Sequence, residues 1–226
     1  TAFDPKSVHF LDSLEVPFFK IPSGEITNYP LIKCIAEKEK PVILSTGMST
    51  LSEVETALSW LESRPQPSTL LPSISVLHCV SAYPAPTPEL NLKCMHTLAK
   101  AFDCAVGYSD HSLGIEMPIA AVALGATILE KHFTLNREMP GPDHRASLEP
   151  AELTKMVAAI RRVESALGDG QKKPATCELE NLSAVRRGII AKKPIKVGEK
   201  FSEENIAVQR PAIGMSASEW PRIIGV

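Results

Sequence analysis

Two stretches decide the fold: Ala105-Val106-Gly107-Tyr108-Ser109-Asp110-His111 and Thr127-Ile128-Leu129-Glu130-Lys131-His132-Phe133. Each is a short run rich in β-branched or aromatic residues, as buried parallel strands are, and each reaches a histidine near its end. Side chains at i and i+2 of a strand share a face, so Ser109 goes with His111 and Glu130 with His132. The same pattern recurs upstream. Phe18-Phe19-Lys20-Ile21 runs into Pro22-Ser23-Gly24-Glu25, and Pro41-Val42-Ile43-Leu44 into Ser45-Thr46-Gly47. Ile74-Ser75-Val76-Leu77-His78-Cys79-Val80 runs into Ser81-Ala82-Tyr83-Pro84.

Helical patterns separate these strands. Thr50-Leu51-Ser52-Glu53 has the form of a capping box, and Val54, Ala57, Leu58 and Leu61 follow at helical spacing. Leu92, Met95, Leu98 and Ala99 make a second stripe, and Ile119, Val122 and Ala123 a third, closed by Gly125. The longest opens at Pro150, aligns Leu153, Met156, Val157, Ile160, Val163 and Leu167, and stops at Gly168. Strand and helix alternate over 1–168, which predicts a parallel sheet under helical cover. An open doubly wound sheet binds ligands only at its switch point, whereas a (β/α)8 TIM barrel gathers every βα loop at one mouth. Five consecutive strands with polar ends favour the barrel.

A further strand end is expected at Thr1-Ala2-Phe3. A closed barrel has eight strands, so the reading predicts a portion of a longer protein whose first strands are not in this chain. Residues 169–185 are polar and aperiodic and are expected to be a linker. From Arg186 the pattern changes to a small β module over 186–226, with strands predicted at Gly188-Ile189-Ile190-Ala191 and over 194–200.

Composition narrows the function. Lys+Arg 24 against Asp+Glu 26 gives a net charge of -2, which speaks for neither nucleic acid nor an acidic membrane as partner. Apolar runs fall short of the roughly 18 residues of a membrane span. Five widely spaced cysteines without a C-x-x-C read as reduced thiols, so a cytoplasmic location is expected. There is no P-loop, G-x-G-x-x-G, H-E-x-x-H or G-x-S-x-G.

The strand ends carry the candidate chemistry. His111 and His132, on neighbouring strands, are placed either to hold a divalent cation or to form a hydrogen-bonded polar core. Lys20, inside a strand, needs an anionic partner: a ligand, or Glu25 in a structural ion pair. Ser23, Ser45, Thr46, Ser81 and Ser109 each follow a strand, and hydroxyls repeated around a rim with a lysine suit a phosphate or carboxylate. Asp143 follows the last strand, where barrel loops contact ligands, and is a candidate for substrate hydroxyls. The residues alone thus predict a barrel enzyme for an anionic substrate.

The motifs also resemble a known family. Lys20-Ile-Pro-Ser-Gly-Glu25 with Asn28-Tyr29-Pro30, Leu44-Ser-Thr-Gly-Met48 and His78-Cys-Val-Ser-Ala-Tyr-Pro84 are similar to the sialic acid synthases. Gly107-Tyr-Ser-Asp-His111, Glu130-Lys-His132-Phe and Gly141-Pro-Asp143 continue the match in order, and 187–226 resembles the start of an antifreeze-like (SAF) domain. The resemblance implies condensation of phosphoenolpyruvate with N-acetylmannosamine and water to N-acetylneuraminate and phosphate, by C–O cleavage. It implies that His111 and His132 hold Mn2+ or Mg2+, and that Lys20, Ser23, Ser45, Ser81 and Ser109 bind phosphoenolpyruvate. Tyr83, Asp143 and Glu25 are expected near the sugar, with Glu25 as a proton-transfer group. Arg210 matches an arginine that reaches the partner's site in a domain-swapped homodimer. At Ser81 some members carry asparagine. Legionaminic and pseudaminic acid synthases, which take a 6-deoxy diacetamido sugar, are the enzyme alternatives, and the segment 143–150 looks closer to the sialic and legionaminic group. A non-catalytic barrel–SAF remnant acting in binding is the alternative of another class.

Overall fold

The computed structural model describes residues 1–62 and 73–226. The chain divides into two compact units, Thr1–Gly168 and Asp169–Val226.

In the first unit five strands form one parallel sheet in chain order: β1 (Phe19–Ile21), β2 (Val42–Ser45), β3 (Ile74–Cys79), β4 (Ala105–Asp110) and β5 (Leu129–Lys131). Helices α2 (Tyr29–Ala36), α3 (Leu51–Glu62), α4 (Cys94–Ala101) and α5 (Glu116–Ala123) link successive strands, and α1 (Pro5–Ser13) precedes them. The sheet curls into half of a (β/α)8 barrel. Its convex face carries the core: Phe19, Ile21, Leu44, Val76 and Tyr108 are essentially inaccessible and pack with Leu31, Ile35, Ala57 and Leu61 from the helices. Each such apolar side chain contributes about 1.5–3 kcal/mol by leaving water. The concave face holds the alternate residues, which places the polar ones there.

Local signals agree with the sequence at several ends. Thr50 N donates to Glu53 Oε2 at 2.7 Å, and Glu53 N donates back to Thr50 Oγ1 at 3.4 Å, which makes the capping box of α3. The long helix α6 (Pro150–Leu167) starts with Pro at its first turn and a reciprocal Glu149–Glu152 cap. It ends at Gly168, whose φ of 64° suits a residue without Cβ. The β5–α6 loop is pinned by Arg137. Its backbone N–H donates to Glu149 at 3.0 Å, its Nε donates to Ser147 O at 3.0 Å, and its guanidinium pairs with Glu152.

Other expectations are corrected. Thr1-Ala2-Phe3 forms no strand; Ala2 is buried, and Asp4 caps α1 by accepting from Ser7 N at 2.9 Å. The stretch 169–185 contains a 3-10 turn (Thr176–Glu178) and helix α7 (Leu179–Val185). That helix is too short to show a period in sequence. Strand β6 (Gly188–Ala191) forms, but 194–200 is a turn closed by Lys196 N donating to Glu199 Oε2 at 3.0 Å. The partners of β6 are β7 (Ile206–Gln209) and β8 (Met215–Ser216), both antiparallel, in the order β7-β6-β8. A four-residue helix, α8 (Trp220–Ile223), follows β8. Among the described residues no helix is long and apolar enough to cross a membrane.

Candidate active site

The carboxyl ends of β1–β5 open onto a cavity of about 570 Å³. Lys20, Ser23, Ser45, Cys79, Ser81, Tyr83, Ser109, His111, Glu130 and His132 line it, with Met48 and the N-terminal Thr1 and Phe3. Parallel register explains the convergence. Lys20, Ser45, Cys79, Ser109 and Glu130 sit at alternate, concave positions, and Cys79↔Ser109↔Glu130 are successive register partners.

Lys20 Nζ lies 3.4 Å from Glu130 Oε2 and donates to Ile21 O at 3.3 Å. The alternative Lys20–Glu25 ion pair does not form: Glu25 accepts from Asn28 Nδ2 at 2.6 Å and does not line the cavity. The carboxylate among the strand ends is Glu130, which also accepts from Ser109 Oγ at 2.7 Å. Glu130 was not singled out as a site residue, although its i, i+2 relation to His132 was the signal for it.

The hydroxyls differ in what they have left to offer. Ser23 Oγ accepts from Gly47 N at 2.9 Å and bonds toward the Cys79 sulfur. Ser45 Oγ is buried without a partner, and a buried hydroxyl with no partner is costly in a closed protein. Ser109 spends its proton on Glu130. Gly47 is wedged among them: a Cβ there would come within 2.2 Å of Ser81 Oγ and 2.9 Å of Ser23 Oγ. Thr46, by contrast, points away and donates to Leu77 O at 2.9 Å.

Three rings meet at the other side of the cavity. Tyr83 packs on His111 with centroids 4.2 Å apart and meets His132 edge-on at 5.5 Å; the two imidazoles are 5.3 Å apart. His111 Nδ1 donates to Val80 O at 2.8 Å and lies 3.7 Å from Cys79 Sγ. Burial opposes charge on His111, but its hydrogen bonds to Cys79 and Val80 outweigh this and hold its pKa above the ordinary imidazole value. Burial, then the neighbouring His111, hold His132 below that value. Burial raises the Tyr83 phenol further, helped by the charges of Cys79, Asp143 and Glu130. Asp143 stands at the rim, its Oδ2 3.8 Å from His132 Nδ1, and is not part of the cavity wall. Arg210 is an exposed residue of the second unit, just before a cis proline.

The donor set suits a divalent cation with a partly open shell. The Val80 carbonyl occupies Nδ1 of His111, which leaves Nε2 as its ligand atom and fixes the tautomer. Among the described residues no group of three or more His, Cys, Asp and Glu side chains gathers to hold an ion. The protein would therefore supply two imidazoles and leave the remaining positions to water and substrate.

The fold and cavity define the five-stranded part of a parallel α/β barrel, with a polar site at the carboxyl ends of its strands. The NeuB family model matches residues 1–172 and the SAF domain model residues 186–226. This chain belongs to the NeuB family. It is 50% identical, over 100% of its length and 66% of the relative's, to the N,N'-diacetyllegionaminic acid synthase of Campylobacter jejuni. It is 36% identical to the human N-acetylneuraminate-9-phosphate synthase, over 92% of this chain and 57% of that one. The crystal structure of N-acetylneuraminic acid (sialic acid) synthetase from Leptospira borgpetersenii, in complex with citrate, superposes with a TM-score of 0.73 at 39% identity. It covers 80% of this chain and 61% of that one. The chain thus spans about two thirds, or less, of the length of these relatives.

Proposed function

We propose that this chain carries most of the site of a sugar-acid synthase that joins phosphoenolpyruvate to an acetamido sugar and releases phosphate. The observation that carries the reading is the meeting, in one cavity, of Lys20 and a rim of serine hydroxyls with a pair of imidazoles.

Lys20 and the hydroxyls of Ser23, Ser45 and Ser81, of which Ser45 Oγ is buried without a partner, bind the carboxylate and phosphate of phosphoenolpyruvate, offsetting the charge of the trianion. His111 and His132 hold a divalent cation, Mn2+ or Mg2+, which when bound supplies Lewis-acid polarisation of the open-chain sugar's aldehyde oxygen. Tyr83 and Asp143 orient the sugar beside His132, so that carbon 3 of phosphoenolpyruvate faces the aldehyde carbon. That carbon–carbon bond forms as the aldehyde oxygen takes the carbonyl electron pair and a proton, water adds to carbon 2, and the carbon–oxygen bond to phosphate breaks to leave the keto group. Of the two water protons one ends on the sugar oxygen and the other on the departing phosphate. Glu130, 3.4 Å from Lys20 Nζ, takes the proton of the added water. Arg210 is assigned to the site of a partner subunit in a domain-swapped homodimer, as the family resemblance implies.

The test is phosphate release by the intact protein with phosphoenolpyruvate, Mn2+ and N-acetylmannosamine. Sugar-dependent, chelator-sensitive release supports the reading. The 6-deoxy diacetamido sugar is the second reading, favoured by the 50% identity to a legionaminic acid synthase against 36% to the human enzyme. Release with that sugar and none with N-acetylmannosamine selects it. Silence with both sugars leaves the non-catalytic remnant.

A further inference from the structure

Each cavity histidine is preceded by a charged residue whose side chain lies on the opposite, convex face of the sheet. Asp110 precedes His111 and Lys131 precedes His132. The two are register partners, the last pair of the β4–β5 ladder, so both histidines stand just beyond the point where strand pairing ends. Lys131 Nζ lies 2.5 Å from Asp110 Oδ2 and donates to Ser112 O at 2.6 Å. Asp110 Oδ1 accepts from Ser112 N at 2.9 Å and from Tyr108 Oη at 3.1 Å. Both side chains are almost wholly buried, at 4% and 1% exposure.

A buried ion pair is weak evidence for stability, because apolar residues of similar volume serve a core at least as well. This one does something apolar residues would not. It ties the end of β4, the end of β5 and the turn after His111 into one unit, through directional bonds that allow one arrangement. The histidine rings depend on that unit. His111 has the further anchor of Val80 O, whereas the His132 ring has edge contacts with Tyr83 and His111 and, among the described residues, no hydrogen bond, Asp143 Oδ2 being 3.8 Å from its Nδ1. The direction of the His132 side chain is therefore set by its backbone, and Lys131 holds that backbone from behind.

We propose that the Asp110–Lys131 pair is a positioning device that fixes the spacing and tilt of His111 and His132 for two-point capture of a divalent cation. The proposal rests on the reading of the two histidines as cation ligands.

The test is Mn2+ affinity, read from the free-ion electron paramagnetic resonance signal of the intact protein, beside phosphoenolpyruvate affinity and thermal melting. The main variant, Asp110→Asn with Lys131→Met, removes both charges while keeping volume, so no lone buried charge remains. It is expected to melt cooperatively, to bind phosphoenolpyruvate within about threefold of the parent, and to lose about 10- to 100-fold in Mn2+ affinity. Ile32→Ala, a core change on α2, lowers the melting point without altering Mn2+ affinity and so separates positioning from general weakening. Mn2+ affinity unchanged in a folded double variant overturns the proposal. If the double variant does not fold, Tyr108→Phe replaces it: it deletes one hydrogen bond onto Asp110 and is expected to cost a few-fold in Mn2+ affinity, and no change overturns the proposal. His132→Ala serves as the control for the underlying reading. If the parent protein and His132→Ala take up Mn2+ equally, the ligand assignment fails and the positioning role falls with it.

Discussion

Lys20 Nζ and Glu130 Oε2 stand 3.4 Å apart although their strands, β1 and β5, are the two edges of the sheet. Four inter-strand steps of about 4.8 Å would separate them by about 19 Å if the sheet were flat, beyond the combined reach of the two side chains. The contact is thus a measure of how far the sheet curls, and it closes a polar floor beneath the cavity. Lys20→Met is expected to raise the KM for phosphoenolpyruvate about 10- to 100-fold, the range for losing a hydrogen-bonded charge. Steady-state kinetics beside a melting curve checks this; a KM within twofold of the parent contradicts the assignment.

The two carboxylates proposed for proton transfer can be separated. Glu130 lines the cavity, whereas Glu25 is occupied with Asn28. Glu130→Gln, which keeps the shape, should lower kcat at least about 100-fold, and Glu25→Gln should lower it by less than about tenfold. The reverse order would restore Glu25 as the proton-transfer group.

His132→Ala should abolish turnover while the protein still melts cooperatively, because the ring is half-buried and supports none of the core. Full activity in this variant would remove the metal assignment.

Gly47→Ala introduces a methyl group 2.2 Å from Ser81 Oγ and 2.9 Å from Ser23 Oγ. Both neighbours are side-chain ends and can move, so the fold should survive while the hydroxyl rim is displaced. The expected result is a rise of about tenfold or more in the KM for phosphoenolpyruvate with a small change in melting point. A variant that unfolds instead would mean that the loop, not the rim, absorbs the clash.

His78 connects stability to pH. Its Nε2–H donates to Leu90 O at 2.7 Å and its ring stacks on Tyr108. Burial holds its pKa below the ordinary 6.5. The unfolded chain takes up a proton near that value and the folded chain resists, so the His78 contribution is complete above 6.5 and is lost as pH falls toward the folded pKa. Urea midpoints at about pH 7.5 and about pH 5.5 should therefore differ less in His78→Gln than in the parent. An equal difference in both would show that other groups carry the acid slope.

Much of the first unit was legible in sequence because its strands are short, apolar and buried on the convex face, while the helices between them keep a helical period. Runs such as 74–80 and 127–133 needed no tertiary information to be placed. Helix α2 was missed although Leu31, Ile32, Ile35 and Ala36 form a stripe, because it is only eight residues long; the other misses were elements without a period to read. Helix α1 starts with an Asp4 cap but has mixed polarity, α7 is two turns long, and β7 and β8 are brief strands whose pairing with β6 spans distant positions. Strand pairing at that range is decided by closure of the module rather than by local propensity.

The candidate site divides in the same way. Residue types and strand ends are properties of the sequence, and the alternation of side chains sends Ser109 and His111, or Glu130 and His132, to one face whatever surrounds them. The sequence by itself therefore determined that serines, a lysine and two histidines would crowd one rim, and that the chain belongs with barrels. Only the tertiary structure decided who pairs with whom. Curling of the sheet brought Lys20 to Glu130 and left Glu25 with Asn28, because contacts between opposite edges depend on curvature, which no local pattern encodes.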